Sequence, residues 1–367
     1  MSIHQYFSPD YATARQAFLK AARQANAAAI ESMPHPLKGI AGEDLFTDLA
    51  WFGPRDAQAV LVTVSGTHGI EGYYGSGCQV GWLSEGHINR LPSGMAMLLI
   101  HASNPYGFSW GRRVNEDNMD INRNFIDFEK SAPPANPAYA EVHPWLLPES
   151  WDDDTARAIQ EKLTAYFERV GAKAATAAIV GGQHSHPDGI FYGGKEPCWS
   201  HRTIKAIAEK YLKQARHVCV IDFHTGLGPF GYSELICRHQ PGSEALRLAQ
   251  AWWGDAVTSP AMGQSDSPII EGNLRMGLVR FCEPATTVAI NIEVGTISSQ
   301  DVRLSVIADN WLHLRGDVFS PLGQKIKRQI RAAFYPESDE WRGLCYPRAV
   351  EIQQQAIAGL AAALPSP

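Results

Sequence analysis

Four apolar runs organise this chain. Ala59-Val60-Leu61-Val62-Thr63-Val64, Met95-Ala96-Met97-Leu98-Leu99-Ile100-His101, His217-Val218-Cys219-Val220-Ile221-Asp222-Phe223 and Thr287-Val288-Ala289-Ile290-Asn291-Ile292 are nearly continuous in hydrophobic character. Runs of that length, rich in β-branched residues and not alternating with polar ones, predict strands buried on both faces. Between them the period lengthens. Ser8-Pro9 predicts the cap of a helix from about Tyr11 to Ser32, with Phe18, Leu19 and Ala22 on one face. Further helices are expected over Gly72 to Glu85 and Asp153 to Gly171, the latter with Asp152 to Asp154 at its amino end. Pro34 to Pro54 reads as a strand pair, and about Ser131 to Ser150, with Pro133, Pro134, Pro137, Pro144 and Pro148, as irregular structure. Strands alternating with helices predict an α/β fold whose mixed, mostly parallel central sheet is covered by helices on both faces, as one domain over residues 1–367.

Three of the runs end in residues that ligate metals. The first leads into His68-Gly69-Ile70-Glu71, the third into His224 and the fourth into Glu293. In open α/β sheets ligands bind beyond the carboxyl ends of the strands. Two His and one carboxylate with a free fourth position make a hydrolytic zinc site, and a further Glu is then available as a base. A His and a Glu three apart are common by chance. Here they follow a strand, among Gly66, Gly69 and Gly72, in a turn tight enough to face both side chains to one point.

Composition narrows the partners. With 45% hydrophobic residues the chain is globular, and a net charge of −6 with no basic block argues against a nucleic-acid surface. Cys78, Cys198, Cys219, Cys237, Cys282 and Cys345 form no CxxC pair and read as free thiols packed in apolar runs. Met1 to Asp10 lacks a basic stretch followed by an apolar core, and no run reaches the roughly 18 residues of a membrane span. A cytoplasmic enzyme acting on a small molecule or peptide, with neither nucleic acid nor membrane as partner, is the expectation.

A second polar constellation lies in Asp120-Ile121-Asn122-Arg123-Asn124-Phe125, preceded by Arg112-Arg113 and Asn115. An Arg fork pairs bidentately with a carboxylate and an Asn can orient it, while another Arg can polarise a carbonyl. Taken alone, the loop would read as solvated Arg-Asp pairs. His184-Ser185-His186-Pro187-Asp188, in a glycine-rich segment, offers a second metal site, pocket lining or local backbone bonds, of which the last is the plainest. Ser65 lacks a nucleophile elbow. His101 and His217 suit core or edge positions, Trp252-Trp253 buried contact area, and Asp222 a partner that orients His224.

His68-x-x-Glu71, Asn122-Arg123, His224 and Glu293 occur in the order found in zinc carboxypeptidases, which the chain therefore resembles. Ser-Gly-Thr-His-Gly-Ile-Glu-Gly, Asn-Pro-Tyr-Gly-Phe, Arg-Arg-Val-Asn-Glu-Asp-Asn and Phe-His-Thr-Gly-Leu-Gly resemble a branch of that superfamily known only as a domain of unknown function. The resemblance implies about eight strands and one zinc ion per chain bound by His68, Glu71 and His224; a second metal at the His184/His186 loop is not expected. It implies Glu293 as base, Arg113 (with Arg112 as fallback) steadying the oxyanion, and Asn122 and Arg123 gripping a substrate carboxylate. The chain departs from the family in two ways. No Tyr lies between Tyr232 and Glu293 to cover the substrate, and the long stretch from Glu71 to His224 implies an insertion at about 130–200. Leu278 and Arg280 fall where specificity residues often lie.

The expected activity is zinc-dependent cleavage of an amide next to a free carboxylate, on a small peptide. An N-acyl-amino-acid deacylase of aspartoacylase type would need the same residues. A metal- or ligand-binding protein without turnover is the third reading, disfavoured because binding alone has no use for Glu293.

Overall fold

A computed structural model describes residues 3–364. Met1 and Ser2 of the amino-terminal stretch, and residues 365–367, lie outside the described residues.

The eight strands are β1 (Ala29–Lys38), β2 (Asp44–Phe52), β3 (Ala59–Val64), β4 (Met95–His101), β5 (His217–Thr225), β6 (Ser233–Cys237), β7 (Val257–Thr258) and β8 (Thr286–Val294). They form one sheet in the order β1-β2-β4-β3-β5-β8-β6-β7. The central strands β4, β3, β5 and β8 are parallel, and all four apolar runs fall among them. Antiparallel β2 and β6 flank this block.

The helices are α1 (Tyr11–Gln24), α2 (Gly72–Ser84), α3 (Pro105–Ser109), α4 (Tyr139–Leu146), α5 (Asp153–Val170), α6 (Ala172–Val180), α7 (Trp199–Tyr211), α8 (Glu244–Trp253), α9 (Leu274–Phe281), α10 (Ser299–Arg315), α11 (Pro321–Phe334) and α12 (Asp339–Ala361). Strand side chains alternate between two packed layers. Leu61, Leu99, Ile221 and Ile290 join Phe18 of α1, Tyr74 of α2, Trp253 of α8 and Trp341 of α12. Val60, Val62, Val218, Val220 and Ala289 join Ile204 and Ile207 of α7 and Leu274 and Leu278 of α9. None of the helices is long and apolar enough to cross a membrane, among the described residues.

Three local expectations need correction. The first helix ends at Gln24, not Ser32: Asn26 turns left-handed at φ 57°, and β1 pairs from Ala29 with Trp51 of β2. The Ala-rich stretch favours helix by propensity, but sheet pairing overrides it. The cap is Asp10, which accepts the Thr13 N–H, rather than Ser8. Within the Pro-rich segment α4 forms with Pro144 inside it, because Tyr139, Val142 and Leu146 bury one face in the core.

Four enclosed histidines couple this packing to pH. Burial pushes His101, His201 and His239 from 6.5 down to about 4, and His313 to about 3. His239 Nε2 accepts the Ala289 N–H at 3.0 Å, which a protonated ring could not do. The unfolded chain binds these protons near pH 6.5 and the folded chain does not. Their contribution is therefore complete above pH 6.5 and is lost as pH falls toward 4, at roughly 1.4 kcal/mol per pH unit for each histidine. Urea midpoints should drop steeply between pH 6.5 and 4.5, and a flat profile would show that these rings are not held neutral.

Candidate metal centre

Parallel pairing of β5 with β8 sets His224 opposite Glu293, and pairing of β3 with β5 ends at Val64 opposite Asp222. Beyond Val64 the chain must turn at once. Gly66 does so at φ +68°, a conformation that L side chains rarely adopt. At Gly69 a Cβ would stand 1.9 Å from the carbonyl carbon of Gly107. Its N–H donates to Arg113 O at 3.2 Å and that of Ile70 to Arg112 O at 2.8 Å, so the turn is sewn to the loop carrying both arginines. His68 precedes the single helical turn Gly69–Glu71, which brings the His68 and Glu71 side chains together.

One ligand atom from each of His68, Glu71 and His224 lies within 4.8 Å of the others. His68 Nδ1 is 2.8 Å from Glu71 Oε1, His224 Nδ1 is 2.9 Å from Glu71 Oε2, and the two Nδ1 atoms are 3.2 Å apart. All three residues are buried. The outer nitrogen of His224, Nε2, lies 2.7 Å from Asp222 Oδ2, and Thr67 Oγ1 donates to Asp222 Oδ1 at 2.8 Å. His224 therefore gives its Nε2–H to Asp222 and turns an Nδ1 lone pair toward the Glu71 carboxylate. Two electron-rich groups at that distance repel unless a positive charge lies between them.

A proton can supply that charge. Burial alone would depress His224, but Asp222 and Glu71 outweigh it and raise it to about 10. Burial likewise opposes the charge on Glu71, yet His68 and His224 hold it well below the usual carboxylate range. A divalent cation satisfies the same three donors, and imidazole nitrogens backed by carboxylates are the donors zinc takes. The residues thus fit a zinc ion.

At His68 Nε2 an acceptor and a donor compete: Asp120 Oδ1 at 3.2 Å and Arg113 Nη2 at 2.8 Å. Arg113 also donates from Nη1 to Glu71 Oε1 at 3.1 Å and from Nε to Asp120 Oδ2 at 3.2 Å. Burial would raise Asp120, but Arg113, Arg123 and His68 hold it far below its ordinary value. Arg112 turns away, to Asn118 and Asp309. Glu293 is 7% exposed, and it accepts from Leu227 N at 3.3 Å and Asn291 Nδ2 at 3.1 Å. Burial, reinforced by Glu71 and opposed by His224 and Arg113, pushes its carboxyl up to about 7.

Asn122 Oδ1 accepts the Leu274 N–H at 3.0 Å, fastening its loop to α9. Arg123 is buried beside it, with Nη2 on Val180 O at 2.6 Å, Nη1 on Asn122 O at 3.1 Å and Nε unpartnered. The other candidates do not join the centre. Arg280 donates to Phe125 O and Leu278 packs in the core. His184 bonds Gly194 O and His186 packs tilted against His143, so the two rings part. Phe191 escaped the sequence reading. Its ring lies 5.2 Å from the Arg113 guanidinium and 5.5 Å from that of Arg123, on a backbone at φ 55°. A lone aromatic in a glycine-rich loop carries no signal of that role.

Residues 7–346 match the family model described as "Protein of unknown function (DUF2817)". A search of curated proteins finds no match. Among solved structures, carboxypeptidase A from Helicoverpa armigera is similar at 11% identity and a TM-score of 0.47, over 92% of this chain and 76% of that one. Succinylglutamate desuccinylase from Chromobacterium violaceum is similar at 16% identity and a TM-score of 0.37, over 90% and 76%. Murein-tripeptide amidase MpaA from Escherichia coli O157 is similar at 16% identity and a TM-score of 0.34, over 81% and 97%.

Removing the carboxylate behind one candidate ligand tests the centre. Asp222→Asn should weaken zinc binding by about 10–100-fold in a chelator competition titration. Unchanged affinity would show that the Asp222 charge does not tune the centre.

Proposed function

The chain belongs to the DUF2817 family, and from that premise we propose that it is a zinc-dependent hydrolase, which cleaves an amide bond next to a free carboxylate in small peptides. The observation that carries this reading is the meeting of His68, Glu71 and His224 beside a separate buried carboxyl, Glu293, on the neighbouring strand. A structural zinc site is closed by four Cys or His ligands, whereas three donors leave a position open for chemistry. One zinc ion per chain would lower the pKa of a water toward ~7 and polarise the scissile carbonyl.

The remaining roles fall to the chain's own residues. Glu293 accepts the proton as the water oxygen bonds to the carbonyl carbon, and returns it to the amine nitrogen as the C–N bond breaks. Burial favours the protonated form of its carboxyl and so eases uptake of that proton. Arg113 reaches the centre with three N–H groups, and can turn one to the oxygen on which negative charge develops. Asn122 and Arg123 bind the substrate carboxylate, with Phe191 holding the two guanidiniums in place. Residues of about 130–200, read as an insertion, place Val180 and Phe191 against Arg123. N-acyl amino acids present the same amide and carboxylate, so they belong in the substrate panel beside peptides.

Elemental mass spectrometry on protein purified without a histidine tag should find about one zinc per chain, and such protein should hydrolyse a member of that panel. Glu293→Gln should keep the zinc and lose activity by at least ~100-fold, the scale of a lost general base. Zinc that cannot be loaded, or full activity in the variant, would overturn the reading. Arg123→Ala should raise KM for substrates with a free carboxylate far more than for their amides. Equal effects on both would exclude the clamp.

A further inference from the structure

Arg275 differs from every other charged group near the centre. The residue is 1% exposed, its Nη1 has no partner, and its guanidinium enters no hydrogen bond or ion pair among the described residues. The equally buried Arg123 bonds two carbonyl oxygens, and Arg112 bonds Asp309 and Asn118. The carboxylates whose charge reaches Arg275 are those of Asp222 and Glu293. Both are committed elsewhere, Asp222 to His224 and Thr67, Glu293 to Leu227 and Asn291. An unpaired cation under such cover is strongly unfavourable in a closed interior.

Its position ties this feature to the centre. Arg275 lies in the first turn of α9, where Leu274 N–H meets Asn122 Oδ1. Leu274 and Leu278 pack on Val218 and Val220 of β5 and Ala289 of β8. By the strand period of two, Asp222, His224, Asn291 and Glu293 continue those same faces. Arg275 therefore shares one side of the sheet with the centre. Other polar atoms there also lack partners. Arg238, just after β6, uses Nη1 and Nη2 on Pro268 O and Ser267 Oγ, and leaves Nε orphaned. Arg123 Nε and Asn291 Oδ1 are orphaned too. The three guanidiniums repel one another, and among the described residues no carboxylate pairs with Arg275.

We propose that Arg275, supported by Arg238, binds a second carboxylate of the substrate, so that the residue released from the amide is an acidic amino acid. The first carboxylate goes to Asn122 and Arg123, as the proposed function has it, and this inference rests on that reading. Arg275 thus takes the specificity role considered for Arg280, whose guanidinium is held at Phe125 O.

The test uses the full chain, zinc-loaded and after EDTA treatment. Malonate, succinate and glutarate are the probes, with butyrate as the one-carboxylate control, read by calorimetry and thermal unfolding. At least one dicarboxylate should bind the wild type at least tenfold more tightly than butyrate. Arg275→Met should abolish that preference and, by removing an unpaired buried charge, raise the melting temperature of the ligand-free protein. Arg275→Lys, which keeps the charge, should retain part of the preference and covers the case of a Met variant that does not fold. A wild type blind to the second carboxylate would overturn the proposal. So would a destabilised Met or Lys variant with its preference intact, because Arg275 would then be a structural counter-charge. In turnover, substrates releasing Glu should exceed those releasing Leu in kcat/KM by about 10–100-fold, and Arg275→Met should erase the difference. Dicarboxylate binding lost in Arg275→Met, with no amide hydrolysed by the wild type, would defeat the hydrolase reading and leave the subsite standing. Hydrolysis that ignores acidic residues would do the reverse.

Discussion

Two imidazole nitrogens and a carboxylate turned toward one another across about 3 Å cannot coexist without positive charge among them. Most of what surrounds the centre serves that requirement. Asp222 takes the outer N–H of His224, Thr67 steadies Asp222, and Asp120 waits at the far side of His68. The central sheet serves this demand: the parallel strands β3, β5 and β8, with β4 beside them, bring their carboxyl ends to the same edge. Gly66 and Gly69 then turn the chain where a side chain would be strained or would collide. A proton and a divalent cation would compete for one place, which ties cation affinity to acidity at this centre.

Much of this was legible in the sequence because burial leaves a strong mark. A strand covered on both faces admits almost no polar residue, so the four apolar runs announce themselves, and a His or Glu at the end of one stands out. His68, Glu71, His224 and Glu293 were found that way, and the structure gathers them. Weak local preferences were harder to read. The Ala-rich stretch after Gln24 would suit a helix, yet Ile30 and its neighbours are claimed by β2. Pro144 suggested irregular chain, yet three buried side chains keep α4 helical.

Adjacent or isolated charges were the least legible. Arg112 and Arg113 are equivalent as letters and opposite in space, one locked on Asp309, the other on Glu71. Nothing in its sequence neighbours marks Arg275 as enclosed. Its enclosure follows from how α9 is pinned to Asn122, a contact between residues 152 apart. Phe191 is of the same kind, an ordinary aromatic until its two cationic neighbours are known.

The separation of the ligands along the chain has a temporal consequence. His68 and Glu71 come from one turn, but His224 stands 153 residues beyond Glu71, and Glu293 lies on a strand made later still. A chain emerging from the ribosome offers the His-Glu pair long before the third donor, and a two-donor site holds zinc weakly. A cation held by all three donors would be captured tightly only once β5 docks beside β3, as a seal on nearly completed topology.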